Sequence, residues 1–153
     1  MYRAALSDYE RGEAGLAYVA GAQQGLGNVL IDLGRLDEAS AMLTTAEASW
    51  QKSAGGADPA TLAFVHAWQG RAALASGRYP EAEQLLSAAL AQLQASRDHK
   101  DLQVRRTLRA LVEVHTRMGQ PARAEEFRMS LAASEAQIAQ LASADCESET
   151  ASR

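Results

Sequence analysis

Four small residues at fixed offsets recur along the chain, and they restrict what it can fold into. Gly27 precedes Gly34 by seven positions, Ala39 follows Gly34 by five, and Ala46 follows Ala39 by seven. Further on, Gly70, Gly77, Ala82 and Ala89 repeat the same offsets. A third copy, almost the same distance on again, keeps Gly119 and Ala124 but has Val112 in place of the first glycine, Leu131 in place of the last alanine, and Arg128 where Leu43 and Leu86 stand. A helix pair of this size leaves an apolar face uncovered and is stable only when stacked on its own kind, so the chain reads as a short repeat array.

Each position has a physical reason. Gly34, Gly77 and Gly119 suit the left-handed residue that ends a helix, and Pro80 and Pro121 suit the first turn of the next, where no backbone N–H is needed. Gly27 and Gly70 fall mid-helix, where glycine costs ~1 kcal/mol against alanine; the expected reason is a close backbone approach, with Ala39, Ala82 and Ala124 facing that row. The pattern predicts helices at about 14–33, 37–52, 59–76, 80–96 and 101–118, and a last one from Pro121. Ala5 precedes Ala46 by nearly the distance that separates Ala46 from Ala89, so the segment near Tyr2, Leu6 and Tyr9 matches the end of a second helix.

The fold class expected is therefore all-α, with about seven helices. Residues 1–12 form a partial unit, 13–54 and 55–98 two full units, and 99–142 a worn third unit whose last helix caps the stack through Ile138 and Leu141. Residues 143–153 turn polar and read as a disordered tail. The first helix of the partial unit is missing, which predicts weak homodimerisation or fraying at residues 2–9.

Composition fits this reading: 47% of residues are hydrophobic but only 5% aromatic, with much of the apolar content alanine, which implies closely spaced helices. A net charge of −4 gives no reason to expect a nucleic-acid partner. Cys146 is the single cysteine and reads as an unpaired thiol of a reducing compartment. With neither a signal-peptide pattern nor a long apolar run, a cytoplasmic protein without a membrane partner is expected.

Catalytic patterns are missing from the sequence. His66, His99 and His115 are too dispersed to bind a metal together, and there is no P-loop, G-x-S-x-G or paired-carboxylate arrangement. Gly25-Leu26-Gly27 lies inside a helical pattern and reads as helix packing, not as a phosphate loop. Trp50 and Trp68 are expected to pack between units. No enzyme activity, cofactor or metal is expected.

Leu26, Gly27, Leu30, Ala39 and Leu43, followed by Gly70, Ala73, Ala82 and Leu86, resemble the tetratricopeptide repeat, a W-x2-L-G-x2-Y helix followed by an A-x3-F helix. Gln23 and His66 occupy the signature tryptophan's place. The period exceeds the ~34 residues usual for that family, and with its extra residues at 55–59 it resembles the long-loop variety of kinesin light chains and of arrays in bacterial signalling proteins. The resemblance implies a right-handed superhelix and a non-catalytic module that binds a protein or extended peptide in a concave groove. An alternative is a recruiting or regulatory segment of a larger signalling enzyme, such as a bacterial serine/threonine kinase, or of a transcription regulator. Because first helices line the groove in this family, the resemblance puts Gln24 and Asn28 there from unit one, Phe64 and Arg71 from unit two, and Arg106, Arg109, Glu113 and Arg117 from unit three. The last four are three, four and four residues apart, so they share a helix face. Their charge suits an acidic peptide.

Overall fold

The computed structural model describes residues 13–53, 58–96 and 102–151. The helix expected near Tyr2, with the homodimer surface assigned to it, lies outside the described residues. Six helices are described: α1 (Glu13–Asp32), α2 (Leu36–Lys52), α3 (Pro59–Ala75), α4 (Tyr79–Ser96), α5 (Leu102–Arg117) and α6 (Pro121–Ala151). Their starts lie within about one residue of those predicted, and none of the described residues is in a strand. None of these helices is long and apolar enough to cross a membrane.

The three glycine turns are the same device. Gly34, Gly77 and Gly119 have φ of 72°, 75° and 67°. At the first turn the Gly34 N–H donates to the Ile31 carbonyl at 3.0 Å and the Arg35 N–H to the Leu30 carbonyl at 2.9 Å. Gly77 and Arg78, then Gly119 and Gln120, repeat the pattern. This paired closure satisfies the last carbonyls of the helix. The residue after the glycine also opens the next helix, because the carbonyls of Arg35, Arg78 and Gln120 accept from Ala39, Ala82 and Ala124. Stop and start share one residue, so each helix pair is held antiparallel. The longer connection before α3 ends in a different cap, where the Asp58 carboxylate accepts from the Thr61 N–H at 3.0 Å with Pro59 in the first turn.

Gly27 and Gly70 are required by packing, although their neighbours are not the expected alanines. A Cβ on Gly27 would lie 2.7 Å from Leu43 Cγ, and one on Gly70 would lie 2.6 Å from Leu86 Cγ. Ala39, Ala82 and Ala124 are fully buried, but a helical leucine leans back toward its helix N-terminus and so reaches over the preceding turn into the glycine's space. In the third unit both partners change together. Val112, partly buried, takes the glycine's place, and the exposed Arg128 pairs with Glu125 at 3.0 Å.

Around these pairs runs a core in which Ala63, Leu86, Leu90, Leu93, Val104, Leu108, Leu111 and Val114 cluster, with Phe64, Phe127 and Leu131 packed against it. His115 is buried in the third unit, its Nδ1 2.9 Å from Gln120 Oε1 and its ring stacked on Phe127 at 5.3 Å. Among the described residues, first helices approach one another closely, α1 with α3 and α3 with α5, whereas the backbones of α2 and α4, and of α4 and α6, stand further apart, the last two bridged by Arg123 and Glu83 at 2.8 Å. The stack is therefore crowded on the side of the first helices and splayed on the other. Helix α6 continues to Ala151, through the stretch whose polarity predicts a tail. The chain beyond Pro121 contains neither glycine nor proline, and alanine and glutamate are good helix formers, so polarity alone does not end it.

Candidate functional site

On the crowded side the three first helices enclose a cleft with a cavity volume of about 530 Å3. Its walls follow helical spacing: Asn28, Ile31 and Asp32 from α1, Trp68, Arg71, Leu74 and Ala75 from α3, and Arg106, Arg109, Ala110 and Glu113 from α5. Asn28, Arg71 and Glu113 stand at the same offset before the turn glycines Gly34, Gly77 and Gly119, so stacking alone brings these three side chains into one column.

Arg71 is central to the cleft. Its guanidinium lies 4.4 Å from the centre of the Trp68 ring, a cation–π contact of the kind that strengthens when desolvated. Burial pulls the Arg71 guanidinium below its ordinary value; Asp32 raises it and the nearby positive charge of Arg106 lowers it further. Asp32 is a distant counter-ion, at 3.9 Å. A half-buried cation with a loose partner and a like charge beside it is electrostatically undersatisfied.

The other arginines differ in how occupied they are. Arg109 is held by Glu135 of α6 at 2.6 Å, and Arg117 is paired with Glu113 at 3.5 Å. Arg106 is exposed on the cleft wall and forms no ion pair among the described residues. The cleft thus offers two guanidiniums, Arg71 and Arg106, beside an Asn28 amide and the apolar side chains of Ile31 and Leu74. The first two suit carboxylate oxygens, the amide a peptide backbone, and the last two an apolar side chain.

Of the residues expected in the groove, Asn28, Arg71, Arg106, Arg109 and Glu113 line this cleft. Arg117 stands outside its walls and reaches it only through Glu113. Gln24 faces α2, where its Oε1 accepts from Trp50 Nε1 at 3.4 Å. Phe64 packs against the apolar core. Trp68 is buried as expected of a packing residue, but it also serves as the platform under Arg71, a role signalled by the i, i+3 spacing of the two. No group of three or more His, Cys, Asp or Glu residues able to hold a metal occurs among the described residues.

Comparison with known families gives a match described as "Tetratricopeptide repeat" over residues 60–136, and a second of the same description over residues 20–43. The first spans half of the chain and takes in the column's Arg71 and Glu113; the second contains Asn28. No curated protein and no solved structure matches the chain.

Proposed function

Because the chain belongs to the tetratricopeptide repeat family, we propose that it is a non-catalytic module holding an extended acidic peptide in the cleft between α1, α3 and α5. Repeats of this family generally mediate protein–protein interaction. The observation that carries the acidic preference is the pair of Arg71 and Arg106, two cations facing one cleft whose ion-pair partner among the described residues is Asp32, 3.9 Å from Arg71. A peptide carboxylate seated between them satisfies Arg71 and relieves its repulsion with Arg106. Asn28 holds the peptide backbone, and Ile31 and Leu74 take an apolar side chain. The repeat period, longer than the ~34 residues usual for the family, supports assigning the units to its long-loop variety.

Exposed ionic contacts contribute only ~0.2–1 kcal/mol each and are screened by salt, so the expected affinity is micromolar. Titration of acidic, neutral and basic peptides of equal length should show saturable binding for the acidic set alone. It should weaken several-fold between about 50 mM and 500 mM salt, and about tenfold in Arg106→Glu. Equal binding of acidic peptides by Arg106→Glu and wild type would reject this reading.

A further inference from the structure

Two cations that face one cleft constrain the anion able to join them. Arg71 is held from one side, its guanidinium carbon 4.4 Å from the centre of the ring of Trp68, which is itself buried. That contact covers one face of the guanidinium and leaves its in-plane N–H groups free to donate. Among the described residues, neither Arg71 nor Arg106 donates a hydrogen bond. The Asp32 carboxylate stands beyond that range, 3.9 Å from Arg71, with its side chain 66% exposed.

The charges around the two arginines do not cancel theirs. On the cleft wall Arg109 is engaged by Glu135 at 2.6 Å, and Glu113 by Arg117 at 3.5 Å, which leaves Arg71, Arg106 and the loosely placed Asp32. Burial first, and then the charge of Arg106 against the opposing pull of Asp32, holds the Arg71 guanidinium below its ordinary value. A carboxylate that presents both oxygens to one guanidinium fork brings a single negative charge and leaves the second cation without a full partner. A phosphate monoester carries about −1.5 to −2 at pH 7 and three acceptor oxygens, enough to meet both forks at once.

We propose, on the reading of this cleft as a peptide site, that the group seated between Arg71 and Arg106 is the phosphate of a phosphorylated side chain in the bound peptide. Arg71, fixed on Trp68, supplies a pre-oriented fork. The exposed Arg106 closes on the remaining oxygens and its charge is neutralised with that of Arg71. Asn28, Ile31 and Leu74 keep their places beside the peptide backbone and a neighbouring apolar side chain.

Calorimetric titration of the full chain with equal-length peptides tests this, the peptides differing at one central position: serine, phosphoserine, phosphotyrosine, glutamate, or a pair of glutamates. At pH 7.5 the better phosphopeptide should bind about tenfold tighter than either carboxylate peptide, as charge-assisted hydrogen bonds to a second arginine imply. Arg106→Gln should bring the phosphopeptide and glutamate peptides within about twofold of each other. The second phosphate ionisation falls near pH 6, and no histidine lines the cleft. Lowering the pH from about 7.5 to 6.0 should therefore weaken the phosphopeptide about twofold and leave the glutamate peptide, whose carboxyl titrates near pH 4, nearly unchanged. Inorganic phosphate should displace the phosphopeptide only at about millimolar concentration. A serine or carboxylate peptide that matches both phosphopeptides would overturn the inference and leave the acidic-peptide reading standing. Displacement by micromolar inorganic phosphate would overturn it too, by revealing a site for the free ion. No saturable binding of any peptide would remove both readings.

Discussion

Replacing Gly70 by valine is expected to destabilise the chain by about 3 kcal/mol, a large share of the ~5–15 kcal/mol that holds a domain folded. The new Cβ would meet Leu86 Cγ at 2.6 Å, Leu86 Cδ2 at 2.9 Å and Leu85 Cβ at 3.3 Å. Leu86 is fully buried and has no free volume to move into. Leu86→Ala alone should cost ~2–5 kcal/mol through the cavity it leaves. Together the two changes exchange volume across one contact, so the double variant should be more stable than the sum of the singles implies by about 2 kcal/mol. The third unit already carries a version of this exchange, with Val112 at the glycine's position and an exposed Arg128 at the leucine's. Urea denaturation followed by circular dichroism supplies the four free energies; additivity within ~0.5 kcal/mol would mean that the glycine and leucine are not one packing unit.

The second large effect is expected at Arg71. Arg71→Ala should weaken acidic-peptide binding by about 30–100-fold, the equivalent of ~2–3 kcal/mol, while changing stability by less than ~1 kcal/mol. The two effects diverge because the folded chain alone bears a half-buried charge with only a 3.9 Å contact to Asp32, whereas a peptide carboxylate brings a direct partner. Arg71→Lys should restore little of the affinity, since an ammonium cannot present the planar fork or stack in the same way on the Trp68 ring 4.4 Å away. Arg109→Ala and Arg117→Ala should each change binding by less than about threefold, because Glu135 and Glu113 already engage those side chains. Calorimetric titration across the four variants checks the ranking, and full affinity in Arg71→Lys would show that its charge alone matters.

Most of the local structure was legible because glycine and proline act on the backbone itself. A left-handed residue at Gly34, Gly77 and Gly119 ends a helix whatever surrounds it, and the helix ranges follow. Helical periodicity likewise shows which side chains share a face, which is why Arg106, Arg109 and Glu113 were recognisable together. It does not show what reaches them from elsewhere. Arg109 is engaged by Glu135, far along the chain on α6, and a one-helix pattern cannot express that contact. Phe64 stands two helical turns before Arg71 and so on much the same face, but core side chains pack against it where the cleft lies open to Arg71. The leucine behind each glycine escaped for a related reason: spacing shows that a position needs room, and side-chain lean decides which neighbour takes it.

The central claim is that a peptide lies across the three first helices, and a 1H–15N correlation spectrum recorded during titration with an acidic peptide locates it most directly. Backbone amides around Asn28, Ile31, Arg71, Leu74, Arg106 and Ala110 should shift together with the Nε–Hε signals of Arg71 and Arg106, all along one saturation curve. The outer second helices, from Ser40 to Thr45 and from Gln84 to Ala88, should stay still. Shifts concentrated on those outer helices, or Arg71 and Arg106 signals unmoved at saturation, would contradict the account.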